Sequence, residues 1–223
     1  MSSEYGQYIK LTVFGESHAS AVGVLIEGLP AGEAIDEERI MNFMRRRMGG
    51  KAWSTPRKEE DRPEFLCGLL DGKTTGAALC AIIKNGNIRP SDYENMKNVP
   101  RPSHADYPAF VKYGGANDRS GGGQFSGRLT APLCVAGAIS EQILARKGIN
   151  VAAHLSRAAG IDDTPFDPCD PDNGIFEKLK AKLFPTIDDT AGEEMIKKIL
   201  EAKESLDSVG GIVECAVTGL GAG

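Results

Sequence analysis

An α+β fold is predicted, because paired strand signals joined by short turns are followed by helical periodicity rather than alternating strand by strand with helices. A second observation is the turn chemistry, in which Asp71-Gly72 separates two apolar runs as a hairpin does. A third is that two β–β–α-like stretches, roughly 8–47 and 64–147, follow one another as a pseudo-repeat. At 223 residues the chain is long enough for one substantial core, and a single domain over 1–223 is the default expectation.

Tyr8 to Phe14 alternates β-branched and aromatic residues and reads as a strand. Val22 to Glu27 reads as its partner, with His18 in the connecting loop. Asp36 is placed to cap a helix whose Ile40, Phe43, Met44 and Arg47 recur at helical spacing, and Met48-Gly49-Gly50 ends it. Residues 49–62 form a polar, basic loop. Glu64 to Leu70 and Ala77 to Lys84 read as a hairpin turning at Asp71-Gly72-Lys73. Residues 86–125 lack periodicity and are rich in Gly and Pro, which for so long a loop points to function. Arg128 to Lys147 reads as a mostly apolar helix, and Asn150 to Leu155 as a strand. After an acidic, Pro-rich loop at 160–174, a short helix spans Ile175 to Leu183. Thr190 to Glu193 spells a capping box opening a helix to about Leu206, and Ile212 to Val217 is a final strand.

Composition narrows the function classes. A net charge of −5 argues against general nucleic-acid binding. Arg45, Arg46, Arg47, Arg57, Lys58, Arg101, Arg119 and Arg128 nonetheless form a local basic set, which suits a small anionic substrate. No stretch is long and apolar enough to span a membrane, and the opening residues carry no secretory signal, so a cytoplasmic protein with no membrane partner is expected. The five cysteines (67, 80, 134, 169 and 215) show no CxxC spacing. Cys67, Cys80 and Cys134 lie in apolar runs and are expected to be reduced core thiols, with no metal site.

The chemistry concentrates in residues 101–130. There His104 sits between Arg101 and a Gly-rich loop, Ser120 to Gly127, that runs into Arg128. Two of the chain's three histidines, His18 and His104, lie in polar loops, where proton transfer is possible. Neighbouring Arg and Gly suggest a phosphorylated ligand. The run from Gly122 to Arg128 nearly spells a nucleotide-binding P-loop, but Arg128 and Leu129 replace its Lys and hydroxyl residue, so that reading is rejected. His154, inside the apolar run VAAHLS, reads as a satisfied structural histidine. Asp118-Arg119 reads equally as a loop brace or an anion contact.

Several segments together resemble chorismate synthases: Gly15 to Gly32 with its Gly-Glu-Ser-His opening, Ser54 to Asp61, Gly68 to Asn85, Arg101 to Tyr107, Lys112 to Ile139 and Asp207 to Gly211. Their order covers nearly the whole chain. The resemblance implies a βαβ sandwich, with helices inside two sheets. It also implies family members longer than this chain, whose further segment supplies part of a flavin pocket and a catalytic Asp; on that basis the sandwich is expected to be incomplete at the C-terminus.

The implied activity is the 1,4-elimination of phosphate from 5-enolpyruvylshikimate 3-phosphate to give chorismate, a carbon–oxygen lyase step of the shikimate pathway that needs reduced FMN. NADPH is a possible flavin reductant, and a homotetramer is implied. His18 and His104 become the candidate catalytic residues, His104 for the leaving phosphate and His18 for the flavin's protonation. Gln124, Phe125, Ser126, Arg46 and Arg47 become candidate flavin contacts, and Ser17, Arg47, Arg101 and Arg128 candidate substrate contacts. Consecutive helical residues point about 100° apart, so Arg45, Arg46 and Arg47 cannot all face one ligand. The chain reads Arg-Arg-Met-Gly-Gly where the family often has Arg-Arg-Pro-Gly, which leaves the contact to either Arg46 or Arg47. The competing reading is a non-catalytic anion-binding or assembly fragment of the same fold.

Overall fold

Strand pairing begins with the two runs on either side of the His18 turn. A computed structural model of the chain describes residues 3–55, 59–86, 99–169, 171 and 173–221. The basic residues Arg57 and Lys58 lie outside the described residues, as do 87–98 of the long loop. The chain divides into two compact units, one of residues 1–47 and 59–139 and one of 48–58 and 140–223.

The first unit is built on a five-stranded antiparallel sheet. Its strands are β1 (Glu4–Tyr5), β2 (Lys10–Gly15), β3 (Ala21–Glu27), β4 (Glu64–Cys67) and β7 (Leu79–Lys84), in the order β1-β2-β3-β7-β4. Side chains alternate between the faces of a strand, so register decides which residues meet. Val22 stands opposite Ile83, Val24 opposite Ala81 and Ile26 opposite Leu79. All six are at most 2% exposed, so this row is one continuous apolar stripe. The β3–β7 pairing thereby joins the two halves of the pseudo-repeat in one sheet.

The expected hairpin between Glu64 and Lys84 differs in its connection. The outer strands do pair, but Asp71 and Gly72 turn a separate small hairpin, β5 (Leu69–Leu70) with β6 (Lys73–Thr74). Asp71 and Gly72 have φ of 48° and 72°, the left-handed pair that an Asp-Gly turn provides. Thr74 inside it is buried, donating to the Pro30 carbonyl at 2.5 Å and accepting from the Glu33 amide at 2.9 Å. Those bonds hold the insert against residues 30–33, which the local pattern did not reveal.

Helix α1 (Glu37–Arg47) starts as expected: Asp36 Oδ1 accepts from the amides of Glu38 and Arg39 at 2.9 and 3.2 Å. It buries Ile40 and Met44 on one face. Within the long loop lies a short helix, α2 (Asp106–Lys112), with Pro108 tolerated in its first turn. The expected helix at 128 begins instead as a 3-10 turn over Gly127–Leu129, with Ser126 Oγ accepting from the Arg128 amide. Helix α3 (Thr130–Arg146) follows.

The second unit holds a three-stranded antiparallel sheet in the order β10-β8-β9, from β8 (Asn150–Ala158), β9 (Ile161–Asp162) and β10 (Gly211–Thr218). Helix α4 (Asn173–Ala181) contributes Phe176 and Leu179 to a core with Ala152 and Phe166. His154 is buried beside this core and is satisfied, as expected. Its Nδ1 lies 2.6 Å from Asp163 and its Nε2 lies 2.8 Å from Glu214.

Helix α5 (Asp189–Glu204) starts earlier than the Thr190 capping box predicts, because Asp188 is its N-cap and accepts from the Thr190 amide at 2.8 Å. Asp163 receives the Ile187 and Asp188 amides, so a tertiary contact sets where the chain enters the helix. The cysteines are free thiols, but they are not all core residues: Cys67 is exposed and Cys80 and Cys134 are half-buried. Cys67 ends an edge strand, which explains its exposure.

Candidate active site

Ser17 is fully buried at the turn between β2 and β3. Its amide donates to the Gly123 carbonyl at 3.2 Å and its Oγ donates to the Ser120 carbonyl at 2.9 Å. These two bonds fasten the His18 loop to the Gly-rich loop, 103 residues away in sequence. Ser17 is thus placed by the backbone of the loop it holds.

Gly121, Gly122 and Gly123 all have positive φ (58°, 92° and 53°), so the loop bends in a way that glycine tolerates and other residues do not. A Cβ on Gly121 would fall 2.5 Å from the His18 ring, and one on Gly122 would fall 2.8 Å from the His104 ring. A Cβ on Gly123 would fall 2.4 Å from the Asp118 carbonyl. The glycines therefore let the loop thread between the two imidazoles. His18 and His104, 86 residues apart, meet consecutive residues of a single arch. Asp118 braces the arch from its near side by accepting the Ser120 amide at 2.8 Å. Arg119 lies over the Phe110 ring at 4.6 Å.

His104 is held by its own segment. Asp106 Oδ1 lies 2.6 Å from His104 Nδ1, and Arg101 grips the same carboxylate through Nε at 2.8 Å, Nη2 at 3.0 Å and its amide at 3.0 Å. Arg101 Nη2 also lies 3.3 Å from His104 Nδ1. The Arg101 hydrogen bonds hold the Asp106 carboxyl far below the usual carboxylate range. On the opposite loop, burial raises the Glu16 carboxyl above its ordinary value, and nearby Asp118 adds to this.

Arg128 is buried, and its guanidinium is met by protein groups. Nε donates to Asn85 Oδ1 at 2.9 Å, and Nη1 pairs with Glu59 at 2.6 Å and with Asp61. Arg47 binds the other oxygen of Asp61, and its Nε lies 3.3 Å from Thr130 Oγ1. Asp61 is buried with φ of 46°, a conformation that Asp tolerates better than most side chains, and it bridges the two arginines. Asn85 completes the brace: its Nδ2 donates to the Glu16 and Ala19 carbonyls at 3.1 and 2.7 Å.

Arg45 donates to Asn42 at 2.7 Å, while the Arg46 guanidinium sits 5.9 Å from the Phe43 ring centroid. The three consecutive arginines therefore diverge, as the helix period requires. Glu59, Asp61, Asn85 and Asp106 were not singled out as site residues from sequence. The available signal was polar residues placed at the ends of apolar strands or beside a loop histidine.

Gln124 lines a cleft of about 620 Å³ with Glu16, Phe14, Leu129, Thr130 and Leu133. Phe125 is exposed and Ser126 caps the 3-10 turn beneath it. The apolar walls and the Gln124 amide fit a flat, polar-edged heterocycle. No Lys or Arg is among the described residues of that cleft, so a phosphate tail would need a cation from outside it. Among the described residues no cluster of three or more His, Cys, Asp or Glu could hold a metal ion. No described helix is long and apolar enough to cross a membrane.

The fold and the paired-histidine arch define an α+β protein whose site brings two imidazoles, arginines and a glycine loop together. The chorismate synthase family model matches residues 9–223. Over 235 aligned residues the chain is 41% identical to the chorismate synthase of Lancefieldella parvula, covering 100% of this chain and 62% of that protein. The corresponding figures for the Thermococcus kodakarensis chorismate synthase are 40% identity, 94% of this chain and 57% of that protein. A crystal structure of chorismate synthase superposes with a TM-score of 0.72 at 25% identity, over 95% of this chain and 57% of that one. The chain belongs to the chorismate synthase family. It spans roughly six-tenths of the length of these relatives.

Proposed function

We propose that this chain carries the phosphate-elimination site of a chorismate synthase, and that its substrate is 5-enolpyruvylshikimate 3-phosphate. The observation that carries this reading is the arch at Gly121 and Gly122, against which His18 and His104 both pack, with Arg101 beside His104. In the proposed reaction the allylic C–O bond breaks with its electron pair going to phosphate. A ring C–H bond breaks, its proton passing to a base and its electron pair serving the new C=C bond, with no net redox change. Reduced FMN, when bound, supplies electron density that helps the phosphate leave.

The chain's own residues bind and move protons. Arg101 and His104 face the leaving phosphate, and a proton on His104 Nε2 passes to the departing oxygen. His18 would hydrogen-bond the cofactor and keep its protonation suited to the reaction. Gln124, Phe125 and Ser126 would hold the flavin ring, with Arg46 or Arg47 supplying charge for its phosphate. Ser17 and Arg128 were candidate substrate contacts. Their bonds to the Gly loop and to Asp61, Glu59 and Asn85 favour a supporting role, in which they set the loop's position.

The same proposal includes NADPH as a flavin reductant, a homotetramer and a cytoplasmic setting, all drawn from the family alone. The test is phosphate release and chorismate absorbance with reduced FMN, with the chain joined to the family's further segment, compared with His104→Ala in the same context. Loss of roughly 10²–10⁴-fold in turnover, with substrate binding less affected, is the expected result for a removed general acid. Failure of the chain to bind either FMN or the phosphorylated substrate would favour the competing reading, a non-catalytic anion-binding or assembly fragment.

A further inference from the structure

We propose that Asp106 is a positioning residue for His104, fixing which ring nitrogen carries the proton and turning Nε2 toward Gly122. This rests on the reading of His104 as the proton donor. The geometry is specific about the roles of the two carboxylate oxygens. Oδ2 accepts from the Arg101 amide at 3.0 Å and from Arg101 Nε at 2.8 Å. Oδ1 accepts from Arg101 Nη2 at 3.0 Å and stands 2.6 Å from His104 Nδ1. A carboxylate that accepts three bonds from arginine stays anionic, and an anion offers Nδ1 only acceptor character. The 2.6 Å contact with that anion is far shorter than the 3.3 Å to Arg101 Nη2, which places the hydrogen on Nδ1.

That assignment matters for the direction of proton flow. A doubly protonated ring holds one hydrogen against Asp106 and presents the other on Nε2. Once the Nε2 hydrogen has left, the neutral ring is already the Nδ1–H tautomer that the carboxylate holds. No proton has to migrate around the ring between steps. Nε2 is directed to the Gly122 side, where a Cβ would come within 2.8 Å of it. The glycine keeps that nitrogen reachable, and the aspartate keeps it the reactive one.

Asp106→Asn separates this role from bracing. The side chain keeps its shape, and Arg101 continues to demand an acceptor oxygen from it. The amide oxygen therefore turns to Arg101 Nε and the amide NH2 falls against His104 Nδ1. A donor there favours the opposite tautomer, with hydrogen on Nε2. The measurement is the ¹⁵N chemical shift pair of the His104 ring in the 223-residue chain, labelled at histidine and recorded where the ring is neutral, with His104→Gln used to assign the signals.

The expected result is a protonated Nδ1 in the unmodified chain and a protonated Nε2 in Asp106→Asn, with Asp106→Glu restoring the original form. An unmodified ring protonated on Nε2, or the same tautomer in both proteins, would overturn the proposal. Should Asp106→Asn fail to fold, the tautomer of the unmodified chain alone decides. Titration of the same samples with FMN reports separately on the functional reading, because the tautomer is set by Asp106 whether or not a flavin binds.

Discussion

The Nε of Arg128 donates to Oδ1 of Asn85 at 2.9 Å, and both side chains are buried. The bond links the start of the segment leading into α3 with the end of β7. Asn85 uses its amide hydrogens on the carbonyls of Glu16 and Ala19, so the His18 loop hangs from the same side chain. One asparagine thus sets the distance between the two loops that carry the site.

Removing that side chain should therefore affect both loops. Asn85→Ala takes their partner from the Arg128 Nε and the Ala19 carbonyl, while the Glu16 carbonyl keeps the Ala19 amide at 3.2 Å, at a cost of about 1–3 kcal/mol for each buried group that stays unsatisfied. Urea unfolding should show the loss, and FMN titration should show weaker binding than in the unmodified chain. Unchanged stability would mean that water replaces the amide at no cost.

Arg128→Met tests the buried ion cluster. It strips Asp61 and Glu59 of a shared cation in a buried setting, where breaking one side of a pair costs roughly 3–5 kcal/mol. Arg47 still holds the far oxygen of Asp61, so the loss should sit at the lower end of that range. Adding Asp61→Asn and Glu59→Gln should recover part of it, read as non-additivity of the three substitutions. Simple additivity would show that the cluster does not act as a unit.

Gly122→Ala should disturb the site more than its single methyl suggests. The residue sits at φ of 92°, and the new carbon would lie 2.8 Å from the His104 ring. Backbone strain of this kind costs of order 1–3 kcal/mol, and the ring must also shift. Gly127→Ala makes the control, since a Cβ there meets nothing within 4 Å. Equal effects of the two substitutions on the His104 ring resonances would contradict the arch geometry.

Glu16 gives a pH signature. Burial, reinforced by Asp118, raises its carboxyl above the ordinary value of 4.5. The folded chain then holds that proton more tightly than the unfolded chain does, so stability falls as pH rises through the window above 4.5. Asp106 works oppositely: Arg101 holds its carboxyl low, so its contribution is present above 3.8 and is lost as pH falls below it. Glu16→Gln should flatten the decline above 4.5 and leave the acid limb intact, as measured by unfolding across pH. A steeper decline in the variant would reverse the assigned sign.

Much of this molecule was legible in local pattern. The alternation in residues 10–15 and 21–27, the Asp36 cap and the Asp71-Gly72 turn depend on neighbours a few residues apart, and each appears at or near its expected place. His18 and His104 lie in polar, Gly-bounded loops where a turn or capping histidine reads the same way, and the resemblance of the flanking segments singled them out. His154 was read as structural because it interrupts an apolar strand.

What the chain order left undecided is which distant groups satisfy the buried charges. Asp61 and Arg128 are 67 residues apart, and Asn85 and Glu16 are 69 apart, so no local pattern pairs them. The same holds for Asp163 setting the entry to α5, where the tertiary contact overrode a capping signature two residues downstream. Sequence by itself determined the longer strands and the Asp71-Gly72 turn, because those follow from periodicity and side-chain type. Only the tertiary structure decided that Gly121 and Gly122 each face a different histidine and that Asn85 holds both loops. Close approach and hydrogen-bond satisfaction are properties of space, and a buried polar group takes its partner from wherever the fold brings one.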